Sequence, residues 1–405
     1  MGTTNAASKA SRFDAVQSLR FLCFLIVFGV HAGCLDLPSA AIILQVFIIL
    51  SGFMLTYAYS NRELQAGPIK NFKFAVGKMK KMYPLHAITT VIQYVILVFY
   101  FIYMAQQWMP DIFDGPAFGL TGSIILQRLP YFFLHMGLLH AWVPDETVNF
   151  MFNGPSWYLS VTVFLYFVFP WICKLVKKIN SKKILITIGA VSLIILYIAS
   201  YFANVYDPTE TAQISHYVML HCPLLQIPVF LIGCIFGKLY LDWRNKQPDG
   251  AGNAELTTSK KLLWTLFEIG PFLAFVGITI GLLNPVNVPG FESLAFFGTF
   301  GFALVSLWFV FVFIMNRGYV TKILGNKLFV YLGDISAYTY LTHYIFTLGW
   351  SDLTEILRIE NTGVVLWVST AIEFILSIAT GMLCNYLMKR SAKKKKMKQQ
   401  GIQQN

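Results

Sequence analysis

Arg20 and His31 stand eleven residues apart in an almost wholly apolar segment, Arg20-FLCFLIVFGV-His31. A cation and a titratable ring inside a membrane helix are costly and mark function by default. Eleven helical steps of about 100° return to within ~20° of the starting face, and a rise of ~1.5 Å per residue separates the two by roughly 16 Å. Both side chains are therefore expected to look into one groove at two depths. Neutral imidazole is a general base near neutral pH. The arginine either snorkels to lipid phosphate or presents a fixed cation to a phosphorylated ligand. A lone histidine on an apolar helix is as readily a packed polar residue, and the arginine on its face is what favours chemistry.

Four further stretches carry polar residues. Ser51-Gly52-Phe53 lies in an apolar run and permits close helix approach. Lys78, Lys80 and Lys81 precede Tyr83-Pro84. They read as ordinary membrane-flanking charge or as a phosphate rim. Pro155-Ser156-Trp157-Tyr158-Leu159-Ser160-Val161-Thr162 opens a span, with Pro to start the helix and Trp157 suited to a membrane interface. Asp334, Ser336, Tyr338, Tyr340, Thr342 and His343 make one late segment polar for a membrane helix, so these side chains must face protein or water.

Other patterns are unpersuasive. His135 and His140, like His216 and His221, are five apart, a poor helical metal spacing, so no metal is expected. Neither a GxSxG motif nor a phosphate-cradling glycine loop occurs. The six cysteines contain no CxxC pair and read as small buried hydrophobes, with a Cys34–Cys222 bridge left open.

The elements that position these residues are membrane helices. The 405-residue chain is only 12% charged, about half the soluble norm. Ten apolar spans are predicted, at about 15–35, 40–60, 82–105, 155–176, 184–203, 222–241, 262–283, 293–314, 329–350 and 363–388, each enough to cross ~30 Å of hydrocarbon. With the N-terminus inside, all 31 Lys and Arg except Arg128 and Arg358 fall on the cytoplasmic side, while carboxylates such as Asp145, Asp207 and Glu355 fall outside. That distribution fits a membrane and argues against nucleic acid, despite a net charge of +12. The expected fold is thus an all-α polytopic bundle with both termini cytoplasmic, in a cell membrane. Residues 1–14 form a tail, 15–388 a single membrane domain and 389–405 a basic tail lying against anionic lipid. The N-terminal segment imitates a signal peptide but is read as an uncleaved first helix. Residues 106–154 form the longest outer segment, and its apolar middle, interrupted by Arg128 and Pro130, reads as re-entrant or interfacial.

Taken in order, these motifs resemble the acyltransferase-3 family of bacterial integral-membrane O-acyltransferases. Arg20 and His31 match its opening basic residue, ten residues, then His. Val46 to Phe53 is similar to its F-F-x-L-S-G-F stretch, and Lys78 to Pro84 to its basic cluster before Y-P. Trp157 to Thr162 is similar to W-S-L-x-V-E, and Leu332 to His343 to its late L-G-x-I-S motif. Two departures stand out: Thr162 replaces the usual Glu, and Gln17 the usual Asp three before the arginine. The SGNH-type domain of some relatives is not seen, so transfer is expected in the membrane domain or on a separate protein.

The resemblance implies transfer of an acyl group, most often acetyl, from acyl-CoA to a hydroxyl of a surface glycan or its lipid-linked precursor. The donor phosphates would rest near Arg20, Lys78, Lys81 and Tyr83, and His31 would act as general base, with an acyl-histidine as the variant. Ser51, Trp157, Ser160, Tyr338, Tyr340 and His343 complete the expected substrate-binding or structural set. Trp108, Trp142 and Trp157 would stack a sugar at the outer mouth. The competing class is a transporter or flippase-like protein without chemistry. A scaffold explains the buried charges poorly. Membrane lipid is an expected partner, and the oligomeric state is left open.

Overall fold

The computed structural model describes residues 13–35, 37, 43–108, 117–206, 217–247, 256–283 and 296–399. Among these residues there is no strand, and every predicted span coincides with a helix. The helices are α1 (Asp14–His31), α2 (Leu44–Ala58), α3 (Pro68–Met79), α4 (Tyr83–Trp108), α5 (Ala117–Met136), α6 (Glu146–Phe150) and α7 (Trp157–Lys178). They continue as α8 (Lys182–Val205), α9 (Ile227–Arg244), α10 (Thr258–Leu283), α11 (Phe302–Met315), α12 (Tyr319–Leu324), α13 (Lys327–Leu357) and α14 (Gly363–Gln399). Seven, α1, α4, α7, α8, α9, α10 and α14, are long and apolar enough to cross a membrane. The apolar α2 and α11 are shorter, and α13 is long but carries the polar late motif. The protein is a multi-pass helical membrane protein.

Burial sorts the helices. α1, α2, α7 and α9 bury long apolar faces, whereas α8, α10 and α14 expose rows of aliphatic side chains such as Ile184, Leu266 and Ile375. Apolar side chains turned outward need lipid, so the second group forms a lipid-facing rim. α2 and α9 approach where Gly233 lies on the Ile49 carbonyl and Gly52 on the Phe230 carbonyl, space that any side chain would fill. The same backbone contact joins Gly333 of α13 to Gln17 of α1.

Helix lengths set the depth of the site. His31 ends the 18-residue α1, and it meets His343 at the middle of the 31-residue α13. α13 therefore runs on for about 14 residues, ~21 Å, beyond the pair. The start of α7 sits at the same level, because Asn153 Nδ2 donates to the Leu341 carbonyl (2.8 Å) and the Tyr340 hydroxyl to the Pro155 carbonyl (2.9 Å). Below, Ser18 Oγ donates to the Leu324 carbonyl, which ties α1 to the turn before α13. The start of α12, just before that turn, is held by the buried Glu268 carboxylate, which accepts from Gly318 N (2.6 Å), Thr321 N (3.1 Å) and Thr321 Oγ1 (2.6 Å).

The segment after α4 reaches deeper than a cover over the mouth. α5 runs back along α4 until the Met136 carbonyl accepts from the Tyr83 hydroxyl at the first residue of α4 (3.0 Å). His86 Nε2 donates to the His135 carbonyl in the same place (2.9 Å). Within the long outer segment, residues 109–116 lie outside the described residues, as does the Trp108 side chain. The six cysteines are free thiols, so the Cys34–Cys222 bridge is absent.

Candidate active site

The Tyr340 carbonyl can only accept, so His343 must donate to it from Nδ1 (2.7 Å). Neutral His343 then offers its Nε2 lone pair, and His31 Nδ1 donates into it (2.9 Å). The ring planes differ by 6° with centroids 5.1 Å apart. That separation belongs to coplanar imidazoles joined by one short hydrogen bond, not to rings lying face on face. The chain of bonds fixes the His31 tautomer and leaves its Nε2 as the basic nitrogen. His343 is fully buried against Phe24 and Phe28, whereas His31 keeps part of its surface and lies beside Tyr344. One ring holds and the other is presented.

Arg20 lies about three turns below. Its Nη1 donates to Gln17 Oε1 (3.3 Å), and its Nε is buried without a partner. Because the position holds Gln and not Asp, the guanidinium keeps its whole charge. Among the described residues the only ion pair is Lys238–Asp242. The charge looks toward the Tyr158 and Tyr166 hydroxyls of α7, and Ser51 of α2 lies beside both. Thr162 flanks Tyr158 here, so hydroxyls occupy the ground where the family motif carries a carboxylate. A half-buried cation without a counter-charge is costly and invites an anion.

The lysine rim divides. Lys78 lies over the Tyr59 ring (4.7 Å) at the basic end of the bundle. Lys81 instead lies over the Tyr338 ring (5.3 Å), five residues, or ~7.5 Å, before His343 along α13. The two are thus not one phosphate clamp. The Tyr83 hydroxyl is engaged with Met136 and serves to join α4 to α5. Ser160 Oγ donates to the Leu138 carbonyl (2.6 Å), another stitch to the returning segment. Trp157 is 3% exposed and packs edge-on against His221, so it is a core side chain and not a sugar platform. Tyr340 spends its proton on the Pro155 carbonyl, a structural use, while the buried Tyr338 hydroxyl has no partner among the described residues. Trp142 remains partly exposed, edge-on to Phe164.

Sequence reasoning missed a second imidazole cluster. His86, His135 and His140 are all fully buried, and His135 and His140 lie face to face with centroids 3.9 Å apart. His135 Nε2 donates to the Val148 carbonyl (2.8 Å), and His140 Nε2 lies 3.3 Å from Ser156 Oγ. His140 lies in the loop between α5 and α6, outside the apolar spans. Burial, then the neighbouring His135 and His86, hold its pKa well below the usual 6.5. The five-residue spacing concealed this because a helix end at Met136 intervenes, and a turn, not a helix face, brings the rings together. Close as these rings are, no group of three or more His, Cys, Asp or Glu among the described residues is arranged to hold a metal ion.

A buried imidazole relay above an unpaired arginine, on helices carrying five motifs in order, is the arrangement to compare with known proteins. The family described as an acyltransferase domain, acyltransferase-3, matches residues 13–390. The chain belongs to that family. It is also 26% identical over 189 residues to the acyltransferase MdmB of Streptomyces mycarofaciens. That match covers 43% of this chain and 42% of the relative, so the chain spans under half the length of the relative it resembles. No solved structure matches.

Proposed function

We propose that this family member is a membrane O-acyltransferase that moves an acyl group, acetyl in the simplest case, from cytoplasmic acyl-CoA to a hydroxyl beyond the membrane. The acceptor would be a surface glycan or its lipid-linked precursor. The observation that carries this reading is the Tyr340 carbonyl–His343–His31 relay, which leaves one basic nitrogen at mid-bundle. The charge asymmetry supports ten crossings with both termini cytoplasmic. The end bearing Arg20 then faces the compartment where acyl-CoA is made.

In the proposed reaction His31 Nε2 takes the acceptor proton as the hydroxyl oxygen bonds to the thioester carbonyl carbon. The tetrahedral intermediate collapses with cleavage of the C–S bond, and the imidazolium returns its proton to the thiolate. His343 disperses the charge that His31 gains. Arg20, ~16 Å below by helix rise, offers a counter-charge to the phosphorylated donor. The test is coenzyme A release from acetyl-CoA by purified protein with a membrane glycan acceptor. Arg20→Ala is expected to raise the KM for acetyl-CoA by roughly tenfold or more, the loss of a charge-assisted contact. An unchanged KM and kcat would remove Arg20 from donor binding.

A further inference from the structure

The C-terminal ends of α2, α7 and α9 meet around a cleft of about 870 Å³ at the basic end of the bundle. Arg62, Lys177, Lys238 and Arg244 line it, with Asp242 the one carboxylate. Cations at helix C-termini offset the helix dipole, and that explains one cation per helix. It does not explain why four converge on one concavity. Asp242 is taken by Lys238 (2.7 Å). Arg62, Lys177 and Arg244 have no carboxylate partner among the described residues.

Their positions are held by the protein. Lys177 Nζ donates to the Tyr59 (2.6 Å) and Arg62 (2.8 Å) carbonyls, fixing the turn after α2 and leaving one N–H for a ligand. Arg244 Nη1 donates to the Tyr57 hydroxyl, which anchors one edge of the guanidinium. Arg62 lies against the Tyr59 ring (5.6 Å), and Lys78 lies over the same ring. The volume falls in the range of small-molecule sites, about 300–1,000 Å³. A concave, mostly polar surface with unneutralised cations focuses potential on an anion with more than one charge.

We infer that this cleft binds the phosphate-bearing nucleotide end of the acyl donor, with Arg62 and Arg244 as the principal phosphate contacts. The inference rests on the acyl-CoA reading above. It moves phosphate recognition from Lys81 and Tyr83, which the fold uses elsewhere, to the C-terminal ends of three other helices.

The test uses full-length protein in nanodiscs and two donors with the same thioester, acetyl-CoA and S-acetylpantetheine, the latter without nucleotide or phosphate. Arg62→Gln and Arg244→Gln should each lower the ratio of kcat/KM for acetyl-CoA over S-acetylpantetheine by about tenfold, through KM. Arg62→Lys, which keeps the charge, should recover part of that ratio. An equal fall for both donors, or no change, would overturn the inference. Binding of adenosine 3′,5′-bisphosphate is measured on the same proteins by calorimetry. Saturable binding that weakens in both Gln variants supports the cleft even if neither donor turns over, an outcome that sinks the acyl-CoA reading alone. Absence of nucleotide binding to the wild type overturns the cleft. Nanodiscs of neutral and of anionic lipid separate the two sources of phosphate: binding abolished by anionic lipid alone would assign the cleft to headgroups and overturn the nucleotide assignment.

Discussion

Two pairs of histidines lie in this bundle with nearly parallel rings, and they are opposites. His31 and His343 are coplanar and joined edge to edge, with centroids 5.1 Å apart. His135 and His140 are face to face at 3.9 Å. In the first pair every bond in the chain points one way, from His31 to His343 to the Tyr340 carbonyl, so one basic nitrogen is left over on a ring that keeps surface. In the second pair Nε2 of His135 is tied to the Val148 carbonyl and its Nδ1 is sealed without a partner. Burial alone therefore does not mark a catalytic imidazole. What marks it is a hydrogen-bond chain that fixes the tautomer and a ring that is not closed over. The stacked pair instead seats the end of α5 and the loop after it against α4 and the start of α7.

The largest expected effect is at the presented ring. His31→Ala should lower the rate of coenzyme A release by roughly 10²–10⁴-fold, the usual contribution of a general base. Full activity in that variant would end the mechanism. At His343 the chemistry of the replacement matters. His343→Leu removes the acceptor for His31 Nδ1–H and should cost about 10–100-fold, as loss of an orienting partner does. His343→Gln, whose amide oxygen can accept the same proton, should lose less; equal losses in the two variants would show that packing and not the relay is at stake. His135→Phe should keep the rate per folded molecule within about threefold while lowering the melting temperature, because the Val148 carbonyl is left unsatisfied, at about 1–3 kcal/mol. A rate loss matching that of His31→Ala would erase the distinction between the pairs. The smallest effect is on pH. His140 is held well below its usual value of 6.5. As pH falls below that value the unfolded chain takes up the proton first, so stability declines on acidification and is full above it. Melting from about pH 7.5 to about pH 5 should show a decline that flattens in His140→Phe; an unchanged slope would detach His140 from it.

Most of the helices were legible because each is a long apolar run between charged loops, and hydropathy needs no tertiary contact. Arg20 and His31 were legible for the complementary reason, since polar side chains stand out where nearly every neighbour is apolar. The returning α5 was legible as an interruption at Arg128 and Pro130, but its depth was not, because depth is set by Tyr83 and His86 reaching the far end of the segment. From its type alone Trp157 reads as a surface for stacking a sugar. An aromatic at a span boundary reads as interfacial until packing against His221 shows its use. The Arg62 and Arg244 cleft was hidden in the general excess of basic loops, since residues 182 positions apart share no sequence signal.

By itself the sequence determined a helical membrane protein, the face shared by Arg20 and His31, and the family. These follow from composition, a helical period and ordered local motifs, all properties of short stretches of chain. Only the tertiary structure decided which nitrogen of His31 is basic, because that depends on a carbonyl more than three hundred residues away acting through His343. It also decided that Lys78 and Lys81 part company and that the stacked histidines are a buttress. Tautomer, depth and convergence of charge are relations between helices, and no single helix contains them.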